Sequence, residues 1–75
     1  ANYTLAYLNR GHVFLRIKDY KKSMDDFSKV IALDPANAEA YNSRGLARRV
    51  SGDLKGSIAD HSKALELRRV EGKSN

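Results

Sequence analysis

The stretch YLNRG at positions 7–11 returns as YNSRG at 41–45, and the distance between the two copies decides the fold. Sliding the chain along itself by 34 residues aligns its two halves without a gap. Ala6 then pairs with Ala40, Tyr7 with Tyr41, Arg10 with Arg44, Gly11 with Gly45 and Asp19 with Asp53. Lys21, Ser23, Asp26, Ser28, Lys29 and Leu33 likewise match Lys55, Ser57, Asp60, Ser62, Lys63 and Leu67. The matches fall at helical spacings, so chance explains them poorly. A fixed internal period of a few tens of residues is the mark of a repeat architecture.

Each unit carries a helical period twice. Tyr3, Tyr7, Phe14 and Ile17, with Gly11 between them, recur at intervals of three and four, and so do Tyr20, Met24, Phe27 and Ile31. The second unit repeats the pattern with Tyr41 and Gly45, then Leu54, Ile58, His61 and Leu65. Asp19 and Asp53 are suited to cap the second helix of each pair, since a short carboxylate accepts from the unpaired N–H groups of the first turn. SGD at 51–53 and LDPAN at 33–37 supply the Gly and Pro punctuation between helices. The spacing predicts four helices over 3–17, 20–33, 36–50 and 54–69, with the last running on to about Val70 before Gly72 stops it.

A chain of 75 residues holds one domain at most, and at this size roughly 60% of the unfolded surface is buried on folding. Fourteen Lys and Arg against nine Asp and Glu give a formal charge of +5, with both signs interleaved, which favours acidic partners without selecting nucleic acid. The absence of Cys removes disulfides, thiol catalysis and Cys-ligated metals. No apolar run approaches the ~20 residues of a membrane span, and the start lacks the basic leader and apolar block of a signal peptide. A cytoplasmic location is therefore expected.

Tyr7, Arg10, Gly11, Phe14, Ser23, Phe27 and Pro35 stand at the spacing of W-x2-L-G-x2-Y, A-x3-F and P, so the chain resembles the tetratricopeptide repeat (TPR) family over nearly its whole length. The resemblance implies an all-α fold of two tandem helix-turn-helix repeats, a segment of a right-handed α-solenoid. Residues 1–75 then form a single module, with repeats over about 4–37 and 38–71 and a polar tail at 72–75. It also implies a non-catalytic module for scaffolding or peptide capture, whose concave surface is lined by the first helix of each pair.

The departures from the signature are informative. Tyr7 and Tyr41 replace Trp, and Ser23 and Ser57 replace Ala at similar volume. Arg10 and Arg44 replace Leu, which is costly for a charge buried alone. Each has an Asp 16 residues on, Asp26 and Asp60, on the partner helix of its hairpin; a repeated bidentate Arg–Asp clamp is expected, against the alternative of solvated surface charges. In the second unit Arg48, His61 and Arg69 stand where the signature has Tyr, Phe and Pro, and Gly56 costs about 1 kcal/mol relative to Ala inside a helix. The second unit is expected to be the weaker one and to fray first.

Residues out of phase with the core stripe are Leu5, Leu8, Asn9, His12, Leu15 and Arg16 in the first unit and Glu39, Asn42, Ser43, Leu46, Arg49 and Val50 in the second. Of these, Leu8, Asn9, His12, Arg16, Asn42, Ser43, Leu46 and Arg49 are the candidate peptide contacts. Asn9, Asn42 and Ser43 would hold a peptide backbone, and Arg16 and Arg49 would attract its carboxylates. Some family members grip the acidic C-termini of chaperones through a Lys and Asn carboxylate clamp. Leu8, His12 and Ser43 occupy the matching positions, so no such clamp is expected. Leu5, Leu8 and Leu15 make the first helix apolar on nearly all sides, which calls for a neighbouring repeat, a partner chain or an apolar ligand. With two repeats where about three are usually needed, a longer array or self-association is expected.

Other chemistry finds little support. His12 and His61 lack the spacing of metal ligands. Asp25, Asp26 and Asp60 have no nucleophile or phosphate loop beside them, so neither an enzyme nor a cofactor is expected. RRVS at 48–51 and NYT at 2–4 match a kinase and a glycosylation pattern, both too short to guide a conclusion. An RNA-binding helical repeat is disfavoured: Arg44, Arg48, Arg49, Arg68 and Arg69 are interspersed with acids and have no aromatic platform beside them. A spacer or oligomerisation module is the other class to weigh.

Overall fold

The computed structural model describes residues 3–73, and their side chains as far as residue 70. Four helices follow one another: α1 Tyr3–Arg16, α2 Tyr20–Leu33, α3 Ala38–Ser51 and α4 Leu54–Lys73. α1 packs on α2 and α3 on α4 as hairpins, and α3 also packs on α2 and, along a shorter seam, on α1. Two hairpins thus stack side by side in one all-α solenoid segment.

The same end signals build both hairpins. α1 closes with Lys18 in the left-handed region (φ 66°), while Asp19 N–H donates to Phe14 C=O at 2.8 Å. α3 closes with Gly52 there (φ 101°), while Asp53 N–H donates to Arg48 C=O at 2.8 Å. Each arrangement returns a stray amide to the last turn of the helix. The next residue then caps the following helix: Lys22 N–H donates to Asp19 Oδ1 at 3.2 Å, and Gly56 N–H to Asp53 Oδ1 at 2.9 Å.

Two boundaries differ by two residues or more from the spacing-based expectation. α3 begins at Ala38 rather than 36 because Asn37 serves as its cap, accepting from Ala40 N–H at 3.0 Å. α4 continues through Gly72 to Lys73, since one glycine without a following Pro weakens a helix without ending it; the rest of the expected tail, residues 74 and 75, lies outside the described residues. Gly56 is also no simple defect. A β-carbon there would lie 2.8 Å from Arg48 Cδ and collide with the Asp53 carboxylate, so the missing side chain makes room for the cap and the arginine stem.

The apolar core is compact and belongs mainly to the first hairpin. Leu8, Phe27, Val30 and Ala40 form it, with Tyr7 and Ile31 packed at its edge. Gly11 permits the close approach of α1 and α2, since a β-carbon at this position would lie 2.7 Å from the Phe27 ring. Tyr3 and Ile17, placed in the core stripe by periodicity, are exposed, as are Leu54, Ile58 and Leu65 on α4. Among the described residues α4 packs on α3 alone, whereas α1 packs on α2 and, along a shorter seam, on α3. No helix among the described residues is long and apolar enough to cross a membrane.

Candidate functional site

The first helices α1 and α3 meet where His12 Nε2–H donates to Glu39 Oε2 at 3.3 Å. This contact joins two of the residues read as concave-facing and places the helices of successive repeats beside each other. Asn9, Arg16 and Arg49 are exposed, and their side chains make no hydrogen bond or ion pair among the described residues. Leu46 is half-buried. His12 is half-buried as well, its ring edge-on to Phe27 at a centroid distance of 5.1 Å.

Two expected contacts are corrected. Leu8 is only 7% exposed and sits in the core, and Ser43 is buried to the same degree. Leu8 packs with Phe27 and Val30 of α2 and Ala40 of α3, and Ser43 lies on α3, which packs on all three other helices, neighbours that a period read from one isolated helix does not register. Asn42 is half-buried, and its carbonyl accepts from His61 Nδ1–H at 2.8 Å, leaving its amide N–H2 for other partners. Leu5 is exposed, Leu15 half-buried and Leu8 buried in the cluster that includes Ala40 of α3, so the all-round apolar character of α1 is partly covered.

The Arg and Asp residues meet within each hairpin. Arg10 Nε and Nη2 donate to Asp26 Oδ2 and Oδ1, both at 2.8 Å. Arg44 repeats the fork on Asp60 at 2.9 Å through the same two nitrogens. The hydrogen bonds to Asp26, aided by its charge, push the Arg10 guanidinium above the ordinary arginine range. Those to Asp60 do the same for Arg44 against the opposing effect of burial. Both arginines hold their charge, and each pair joins the two helices of its own hairpin.

Their surroundings differ. The Arg10 side chain is 57% exposed and the Arg44 side chain 17%. Arg44 also donates through Nη1 to Ser28 Oγ of α2 at 3.1 Å, tying the second repeat to the first. Arg48 Nη1 brings a third bond to Asp60, at 2.9 Å. In the first repeat the corresponding residue is Phe14, which lines a pocket of about 350 Å³ with Arg10, Lys22, Asp25, Asp26 and Lys29. The Arg10, Lys22 and Lys29 cations lie over the Phe14 and Tyr7 rings at 5.1–5.8 Å.

Sequence reasoning missed the Arg48 bond, the Asn42–His61 pair and the Ser28 link. Signals for the first two were present. Arg48 follows Arg44 by one helical turn, hence shares its face. Leu8 and Phe27 of the first repeat become Asn42 and His61 in the second, an apolar pair replaced at both ends by a polar one.

With this geometry the chain aligns with known proteins. Residues 4–37 match the sequence model of the tetratricopeptide repeat. Tetratricopeptide repeat protein 36 of Xenopus tropicalis is 42% identical over 55 residues, covering 73% of this chain and 27% of that protein. Its human counterpart is 38% identical over 56 residues, covering 75% and 30%. RNA polymerase II-associated protein 3 of Xenopus tropicalis is 42% identical over 59 residues, covering 79% of this chain and 9% of that protein. A crystal structure of MamA superposes with a TM-score of 0.92 at 30% identity, over 95% of this chain and 42% of that one. The chain thus spans less than a third of each of these curated relatives. Such repeats are generally non-catalytic and bind protein partners, and by its 34-residue period, its matched repeat and its helix packing, the chain belongs to the tetratricopeptide repeat family.

Proposed function

We propose that the chain is a non-catalytic interaction module that captures a peptide segment of a partner protein across α1 and α3. The observation that carries this reading is the His12–Glu39 contact, which joins α1 and α3 through two residues read as concave-facing. On that face Asn9 and the Asn42 amide offer hydrogen bonds to a peptide backbone, and Leu46 offers an apolar step. Arg16 and Arg49, both exposed, favour a segment carrying Asp or Glu, in line with the formal charge of +5. Leu8 and Ser43 take no part because they are buried. As a module inside a longer protein, it would contribute one stretch of a larger binding surface.

An array of acidic and neutral peptides, probed with the purified chain, tests the reading. Acidic peptides should bind in preference, and Arg16→Ala with Arg49→Ala should weaken them about tenfold or more, the scale of losing one or two charge-assisted hydrogen bonds. Binding that ignores both changes, and also ignores Asn9→Ala, contradicts the concave-face assignment.

A further inference from the structure

Two arginines shortly before a serine are a common pattern, and RRVS at 48–51 gains weight only from its place in the fold. It forms the last turn of α3 and leads into the turn at Gly52 and Asp53. Ser51 is exposed, as are Arg49 and Val50. The other described serines lack one condition or the other. Ser23 follows Lys21 and Lys22 but is fully buried, and Ser43 and Ser57 are buried as well. Ser28 and Ser62 are exposed but follow Asp26 and Asp60 by two residues, where Ser51 follows Arg49. Neighbouring repeats leave this turn open. Ser51 is exposed with a repeat before it, and Ile17, the same position in the first repeat, is 65% exposed with a repeat after it.

From these observations we infer that Ser51 is a phosphorylation site for a kinase that reads arginines two and three residues ahead of its acceptor. Ser51 Oγ attacks the γ-phosphorus of ATP. The new O–P bond forms as the bond to the β-phosphate oxygen breaks, ADP leaves, and the hydroxyl proton passes to the kinase's catalytic carboxylate. The last turn of α3 opens to present the segment, as helix ends do at least cost. Unwinding it uncovers no buried side chain at Arg49, Val50 or Ser51, which are exposed already. Arg48 gives up its bond to Asp60, and Asp60 keeps its fork from Arg44.

Phosphate at this position works against the second hairpin. Ser51 Oγ–H donates to Arg48 C=O at 3.0 Å, a bond that the phosphate ester cannot make. A charge of about −1.5 to −2 arrives at the C-terminal, negative end of the α3 dipole. It stands two residues from Asp53, whose carboxylate caps α4. It also competes with Asp60 and Asp53 for the Arg48 guanidinium. The modification therefore loosens the joint between α3 and α4.

Incubating the folded chain with Mg·ATP and the catalytic subunit of cyclic-AMP-dependent protein kinase tests the site. Intact mass should show a single added phosphate, and fragmentation should place it on Ser51. Ser51→Ala should take up none, and Arg49→Ala should slow the transfer about tenfold or more, the scale of one charge-assisted hydrogen bond. Both positions are exposed, so each variant should fold, as circular dichroism will register. The phosphorylated chain should melt about 4–8 °C below the unmodified one. No transfer to the chain, phosphate on another residue, a rate unmoved by Arg49→Ala, or a melting temperature unchanged or raised would each overturn the inference.

Discussion

The two hairpins follow one 34-residue plan and hold themselves together by different means. The first closes over Phe27, Val30 and Leu8, an apolar cluster against which Gly11 lets α1 and α2 approach. The second keeps Gly45 in the same place, but Asn42 and His61 hydrogen-bond where Leu8 and Phe27 pack, and Arg48 joins Arg44 on Asp60. A polar side chain can take the place of a buried aromatic ring, as His61 does at the position of Phe27, provided its hydrogen bonds are met, and no buried side-chain polar atom among the described residues is left without a partner. The apolar hairpin draws its stability from burial and the polar one from satisfied geometry.

Truncating the equivalent side chains should separate the two modes. Phe27→Ala removes a fully buried ring and should cost about 3–5 kcal/mol, enough to leave a domain of this size largely unfolded by chemical denaturation. His61→Ala loses one hydrogen bond and partial burial, and should cost about 1 kcal/mol. Equal costs in urea titrations would erase the contrast.

The glycines sharpen it at smaller scale. Gly11→Ala pushes a β-carbon within 2.7 Å of the Phe27 ring, which the packed core cannot move aside, and should cost about 1–3 kcal/mol. At Gly45 the nearest atoms are 3.1–3.2 Å away, chiefly on the half-buried His61. There the helix preference for Ala offsets the crowding, and the net change should stay within about 1 kcal/mol of zero.

The smallest difference lies in the turns. Lys18 adopts a positive φ that Gly52 takes in the second repeat. Lys18→Gly should relieve strain of about 1–2 kcal/mol, partly offset by glycine's greater chain entropy, for a net gain of at most about 1 kcal/mol. Gly52→Ala should lose a similar amount, and thermal melts of the two variants that shift in the same direction would contradict this reading.

Much of this architecture was legible in the residues. The period, the helix order, the caps at Asp19 and Asp53, and the Arg and Asp residues that meet within each hairpin all follow from short-range spacing. Leu8 and Ser43 were misplaced because the helical period within one helix does not show where a third helix crosses. Tyr3, Ile17, Ile58 and Leu65 read as core for the converse reason: they are apolar in phase, but no neighbouring helix covers them. Arg48 looked like a lost tyrosine when its repeat was compared with the signature alone. Its role emerges once Asp60 is seen to have acceptor capacity beyond the fork from Arg44.

The central claim is that the same Arg–Asp fork matters more where a neighbouring repeat covers it. Two double-mutant cycles, one on Arg44 and Asp60 and one on Arg10 and Asp26, measure this without appeal to absolute stability. Coupling of about 1.5–3 kcal/mol is expected for Arg44 and Asp60, as for partly buried, charge-assisted hydrogen bonds, with a clearly smaller value for the exposed pair. Coupling near zero for Arg44 and Asp60, or equal coupling in the two repeats, would contradict it.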